Sequence, residues 1–151
     1  MICAALVAAG CGTATVPPST SELPINGRIP TEARILTTTR GYPGRNPTLS
    51  VTTAKLLKVG AIATMIDRLH PVRPGVINCP NIAAAPTVAF TFRGEGPRQV
   101  VARASTLATG PHGPCPGITF TVWGHTKRPL SAQPAFLRRA GHVLGVTLLT
   151  K

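Results

Sequence analysis

The chain has 151 residues, enough for one domain with its own core and too few for two. Sixteen Lys and Arg face four acids, Glu22, Glu32, Asp67 and Glu95, for a formal charge of +12, a balance that attracts polyanions. With 15 Gly and 16 Pro the composition favours a compact, loop-rich domain over a pure helical bundle, and the lack of any run of about 18 apolar residues excludes an evident spanning helix.

Residues Met1 to Gly10 carry no charge and are mostly Ala, Leu, Val and Ile, the composition of the apolar part of an export signal. Ala8-Ala9-Gly10-Cys11 resembles the lipobox of bacterial lipoproteins, in which small residues precede a cysteine that is lipidated and becomes the mature N-terminus. Ala8 stands where Leu is usual, with Leu6 and Val7 just upstream, and no basic residue precedes the apolar run; a start upstream of Met1 would account for both. The resemblance implies a signal over 1–10 and lipidation of Cys11. Gly12 to Pro24 is rich in Thr, Ser and Pro and reads as a semi-extended tether. The expected organisation is a lipid-anchored tether over 11–31 and a single globular domain over 32–151, held at the outer face of the cell membrane. Export without an anchor is the alternative localisation, and a buried N-terminal element with an ordinary cysteine is the remaining one.

Ala33 to Arg40 is β-branched and alternating and predicts a strand, broken by the turn-rich Gly41-Tyr-Pro-Gly-Arg-Asn-Pro47. Leu49 to Thr52 predicts a second. The period then becomes helical: Leu56, Val59, Ile62, Met65, Ile66 and Leu69 make one apolar stripe. Thr52 or Thr53 is expected to cap this helix and Pro71 to stop it. Lys55 and Lys58 fall near its N-terminus, where the helix dipole disfavours cations.

Pro71 to Pro86 reads as an irregular linker. Thr87 to Phe92 predicts a strand with Val88, Phe90 and Phe92 on one face, Gly94-Glu-Gly-Pro97 a hairpin connection, and Gln99 to Ser105 its return. Thr109 to Gly117 is a second irregular stretch. Ile118 to Trp123 alternates again, and Ser131 opens a final helix with Ala135, Leu137 and Ala140 toward the sheet. The order β-β-α-β-β-β-α predicts an α+β domain: an antiparallel sheet of about five strands with two helices packed on one face.

If Cys3 leaves with the signal and Cys11 carries lipid, Cys79 and Cys115 remain as an even pair in an exported protein, which predicts one disulfide contributing about 4 kcal/mol in the loop-entropy picture. His112 and Cys115 lie three apart, with Cys79 as a potential third ligand, but a disulfide removes both sulfurs and no carboxylate lies near, so no metal is expected. The stretch VRPGVINCP, Val72 to Pro80, follows a helix ending in IDRL and precedes the strand–turn–strand unit TVAFTFRGEGPRQVVARA and a second cysteine. This arrangement, over about Ala33 to Leu144, resembles small exported and lipid-anchored actinobacterial proteins of uncharacterised function. The resemblance implies export and a disulfide; it supplies no substrate and no catalytic residues.

No paired carboxylates, nucleophile elbow, P-loop or dinucleotide fingerprint occurs, so no catalytic residues, no enzymatic activity and no cofactor are expected. Only Lys127-Arg128 and Arg138-Arg139 are adjacent basic pairs, and these four are the candidate polyanion-binding positions. The expectation is a cell-envelope lipoprotein domain with a binding or structural role. Its partners would be the membrane, through the lipid anchor, and anionic cell-wall polymers or lipid headgroups. A secreted inhibitor or sensor-type domain is the alternative. Nucleic-acid binding is expected only if the chain is not exported, because aromatic residues, at 4%, leave few stacking platforms.

Overall fold

The computed structural model describes residues 29–72, 86–96, 98–106, 109–110, 113–114, 117–132 and 134–149. Cys3, Cys11, Cys79, Cys115 and His112 lie outside these residues, so the lipidation site and the cysteine pair expected from the sequence do too.

The fold is α+β. Six antiparallel strands form one sheet in the order β2-β1-β3-β4-β7-β8: β1 (Ile35–Gly41), β2 (Leu49–Thr53), β3 (Thr87–Arg93), β4 (Val100–Thr106), β7 (Ile118–Val122) and β8 (His125–Leu130). A separate two-stranded ribbon, β5 (Thr109–Gly110) with β6 (Gly113–Pro114), interrupts the stretch read as irregular. The main sheet thus has one strand more than expected. The addition is β8, HTKRPL, which lacks apolar alternation and contains Pro129. Proline is tolerated there because β8 is an edge strand. The outer edge of β8 is shielded by the chain leaving helix α1 (Leu56–Asp67): Val72 N–H donates to the Pro129 carbonyl at 2.8 Å, and Ser131 N–H to that of His70 at 2.7 Å.

Alternation sorts the strands into two faces. Leu36, Val88, Phe90, Phe92, Ala102, Ala104, Ile118, Phe120 and Val122 are buried on one. A bulge, where the β3–β4 register shifts at Phe92/Arg93, turns both Val101 and Ala102 inward. Both helices cover this face. From α1, Val59, Ile62 and Ile66 enter the core; from α2 (Pro134–Leu144), Phe136, Leu137, Ala140 and Leu144 do. Phe136 meets Phe90 edge-on, with ring centroids 5.8 Å apart. Thr38 is buried on the same face, and its Oγ1 has no hydrogen-bond partner.

Two helix expectations are corrected. Leu56 is 60% exposed: it belongs to the first turn, before the helix reaches the sheet, and the buried stripe begins at Val59. The cap of α1 is Lys55, with no side-chain cap bond. Thr53 Oγ1 instead accepts from Lys55 N–H at 3.2 Å, while the Thr52 hydroxyl pairs with Thr37 across the strands at 3.1 Å. α2 begins at Pro134, where the missing N–H costs nothing, rather than at Ser131, whose N–H is engaged by His70. Packing also reaches upstream of Glu32: Ile29 is buried in the core, and its N–H donates to Asp67 Oδ1 at 2.8 Å.

The C-terminus of α2 closes in a Schellman arrangement. Gly145 adopts φ +78, its N–H bonds the His142 carbonyl, and the Val146 N–H bonds that of Gly141 at 2.9 Å. The chain then folds back over Gly141 and buries Leu148. Arg40 Nη1 donates to the Thr147 carbonyl at 2.8 Å, and Lys58 Nζ to that of Leu144 at 3.5 Å. The lysine that looked misplaced at the start of one helix therefore serves the negative end of another.

Candidate functional site

The four basic residues singled out in the sequence do not form one patch. Lys127 pairs with Phe120 on the helix-covered face and is half-buried, its stem lying over the sheet rim. The β7–β8 register shift leaves Arg128 and Pro129 together opposite Thr119, so Arg128 stands on the other face. Arg138 and Arg139 are both exposed on α2. Adjacent helical positions diverge by about 100°, and of the two only Arg139 lines a cleft.

That cleft, of about 230 Å³, lies between the C-terminal end of α1 and the first turns of α2. Met65, Leu69 and Phe136 make its apolar wall, and Arg68 and Arg139 stand over it. An adjoining hollow of about 190 Å³ adds His70, Ser131 and Ala135. The helical period builds the site: Met65 and Leu69 sit at the edge of the buried stripe of α1, with Arg68 beside them. Arg139 extends from α2 between the buried Phe136 and Ala140. Among the described residues no carboxylate lines either hollow. Two guanidiniums over one small cleft repel each other, and an anion between them relieves that repulsion while taking up their fixed donor forks. Arg68 was present in the quoted IDRL segment, but nothing in a single isolated arginine marks it; the signal is its place one residue before the last member of the apolar stripe.

The acids lie elsewhere. Asp67 faces a different groove, of about 340 Å³, between α1 and residues 29–34, where it holds the Ile29 N–H. Glu95 is in the β3–β4 hairpin. Ser131 and His70 are joined through their backbones, and no hydrogen bond links their side chains. Among the described residues no three His, Cys, Asp or Glu side chains gather as a metal site, and no helix is long and apolar enough to cross a membrane.

Compared with protein-family models, with curated proteins and with solved structures, the chain matches none.

Proposed function

We propose that this chain is an envelope-tethered, non-enzymatic binding domain whose helix side engages the phosphate groups of anionic lipid headgroups or wall polymers. The observation that carries the reading is the convergence of Arg68 and Arg139, from the two helix segments, on one cleft that no carboxylate lines among the described residues. The excess of basic residues over acids in the whole chain supports it by raising the local concentration of any polyanion. The tethering half of the proposal is supported by the small residues before Cys11, the Ser/Thr/Pro-rich stretch after it, and the resemblance to small exported and lipid-anchored actinobacterial proteins. In this reading Cys11 carries the acyl chains that hold the domain at the outer face of the cell membrane, and Cys79 and Cys115 form the one disulfide of an oxidising compartment.

Flotation of the full chain with phosphatidylglycerol-containing vesicles, beside pull-down on purified wall polymer, tests the binding half and separates the two sources of phosphate. Both guanidiniums are removed in Arg68→Gln/Arg139→Gln. Loss of at least about tenfold in retention on one of the supports fits two lost charge-assisted contacts; undiminished retention on both sinks the cleft. Intact mass of the protein from its native membrane tests the tether, since acyl chains on Cys11 and a two-proton deficit for the disulfide are each visible.

A further inference from the structure

The face of the sheet turned away from the helices carries a second, differently built surface. Strand register places Thr52, Thr37, Thr91, Arg103, Thr121 and Thr126 in one row across all six strands. Ser50, Thr39, Ala89, Ser105 and Thr119 form the next row. Rows of this kind repeat at about 4.8 Å from strand to strand and about 6.8 Å along a strand. Threonines on an open sheet face need no more than their β-propensity to explain them. What asks for more is the charge. Arg103 stands in the middle of the first row, exposed, and its guanidinium has no hydrogen-bond or ion-pair partner among the described residues. Arg93 lies on the same face and donates to Thr37 Oγ1 at 2.8 Å, while Thr37 shares a hydrogen bond with Thr52. Of the two protons on that hydroxyl pair one joins the two oxygens, and the other is left for an acceptor outside. Arg128 closes the β8 side. No carboxylate stands on this face among the described residues: Glu32 precedes β1, Glu95 lies in a hairpin and Asp67 is on α1.

We infer that this face docks an extended acidic polysaccharide. The guanidiniums complement its anionic groups, and hydroxyls that both donate and accept complement those of the sugar ring. The aromatic residues of these strands, Phe90, Phe92 and Phe120, all lie on the helix-covered face, so the outer face lacks the stacking platforms that single-stranded nucleic acid uses. The site is separate from the α1–α2 cleft and stands or falls without it.

The test is binding of the full chain to a linear uronate polymer, alginate, at low and moderate salt, with neutral dextran as control. Arg103→Glu and Arg138→Glu change the net charge equally on exposed positions of opposite sides of the molecule. The expected result is salt-sensitive binding that Arg103→Glu weakens about tenfold and Arg138→Glu by no more than about twofold, each being one reversed charge on or off the contact surface. Thr37→Val/Thr52→Val, with charge unchanged, is expected to weaken it about threefold through lost hydrogen bonds. Circular dichroism verifies that each variant folds. Equal losses in both charge reversals, equal binding of dextran, no binding of alginate, or binding of duplex DNA in its place would each overturn the inference; an unchanged affinity of the valine pair would overturn the role given to the hydroxyls. Loss of cleft binding in Arg68→Gln/Arg139→Gln with alginate binding intact is the expected mark of two separate sites.

Discussion

Replacing Gly141 by Ala sets two consequences of one methyl group against each other. In an exposed helix interior the change is favourable by about 1 kcal/mol, because alanine has less backbone freedom to lose. At Gly141 the new Cβ would stand 2.5 Å from the Val146 carbonyl oxygen. Ordinary carbon–oxygen contacts begin near about 3.3 Å, so the returning chain must retreat by roughly 0.8 Å. The obstacle is backbone, and the retreat pulls on the Val146 to Gly141 hydrogen bond, on buried Leu148 and on the bond from Arg40 to Thr147. Overpacking of this kind costs about 1–3 kcal/mol and a lost hydrogen bond about 1 kcal/mol more, giving a net destabilisation of about 2 kcal/mol after the propensity gain. Gly60, in α1, is the control: a Cβ there meets nothing within 4 Å, so Gly60→Ala is expected to stabilise by about 0.5–1 kcal/mol. Thermal unfolding followed by circular dichroism should place the two on opposite sides of the parent, about 8 °C below and about 3 °C above it for a domain of this size. A Gly141→Ala protein as stable as its parent would show that the fold-back over the helix is not the packed arrangement described.

Three further outcomes concern the core and the hairpin. Thr38→Val exchanges a buried, unpartnered hydroxyl for a methyl group of the same shape and should raise stability by about 1 kcal/mol in urea unfolding; a loss of that size would reveal a hidden partner. Phe90→Ala empties the centre of the sheet beneath Phe136 and should cost about 3–5 kcal/mol, so a loss below about 1 kcal/mol would contradict the packing. Trp123 occupies the first position of the two-residue β7–β8 turn at φ +50, followed by Gly124 at φ +77, a pair of left-handed residues that suits Asn-Gly far better than Trp-Gly. Trp123→Asn should therefore stabilise the domain by about 1 kcal/mol; a fall in stability would mean that the half-exposed indole packs more productively than its backbone is strained.

The parts of the fold written plainly in the sequence are those where one pattern acts alone. Val88, Phe90 and Phe92 alternate, and so do Ile118, Phe120 and Val122; each set is buried on the expected face. The stripe Val59, Ile62, Ile66 likewise enters the core. β8 was hidden because an edge strand needs few apolar residues, and only Leu130 of its six is buried. In α2, Leu137 and Ala140 face the sheet as expected, but the buried residue beside them is Phe136, while Ala135, about 100° round the helix, is only half-buried. The cleft was half legible. Arg139 stood out by its neighbour Arg138, whereas Arg68 joins it through tertiary placement, which no local spacing encodes. The outer face was visible only as scattered threonines; pairing register, set by hairpins and bulges, is what aligns them with Arg103 into a row.

The tail that folds back over α2 also governs when the domain can form. Arg40 and Thr147 are 107 positions apart, and Lys58 and Leu144 are 86 apart, so the first strand and first helix find these partners only after nearly the whole chain has been synthesised. Contacts of such separation are slow to close, and until they do Phe90 lacks the edge-on contact of Phe136 and only α1 is in place to cover the apolar face. A nascent chain therefore keeps part of that face open until α2 and the residues as far as Leu148 are free to dock. A truncation before Pro134, which removes α2, would bare the part of the sheet that Phe136, Leu137 and Ala140 cover and leave only α1 on that side.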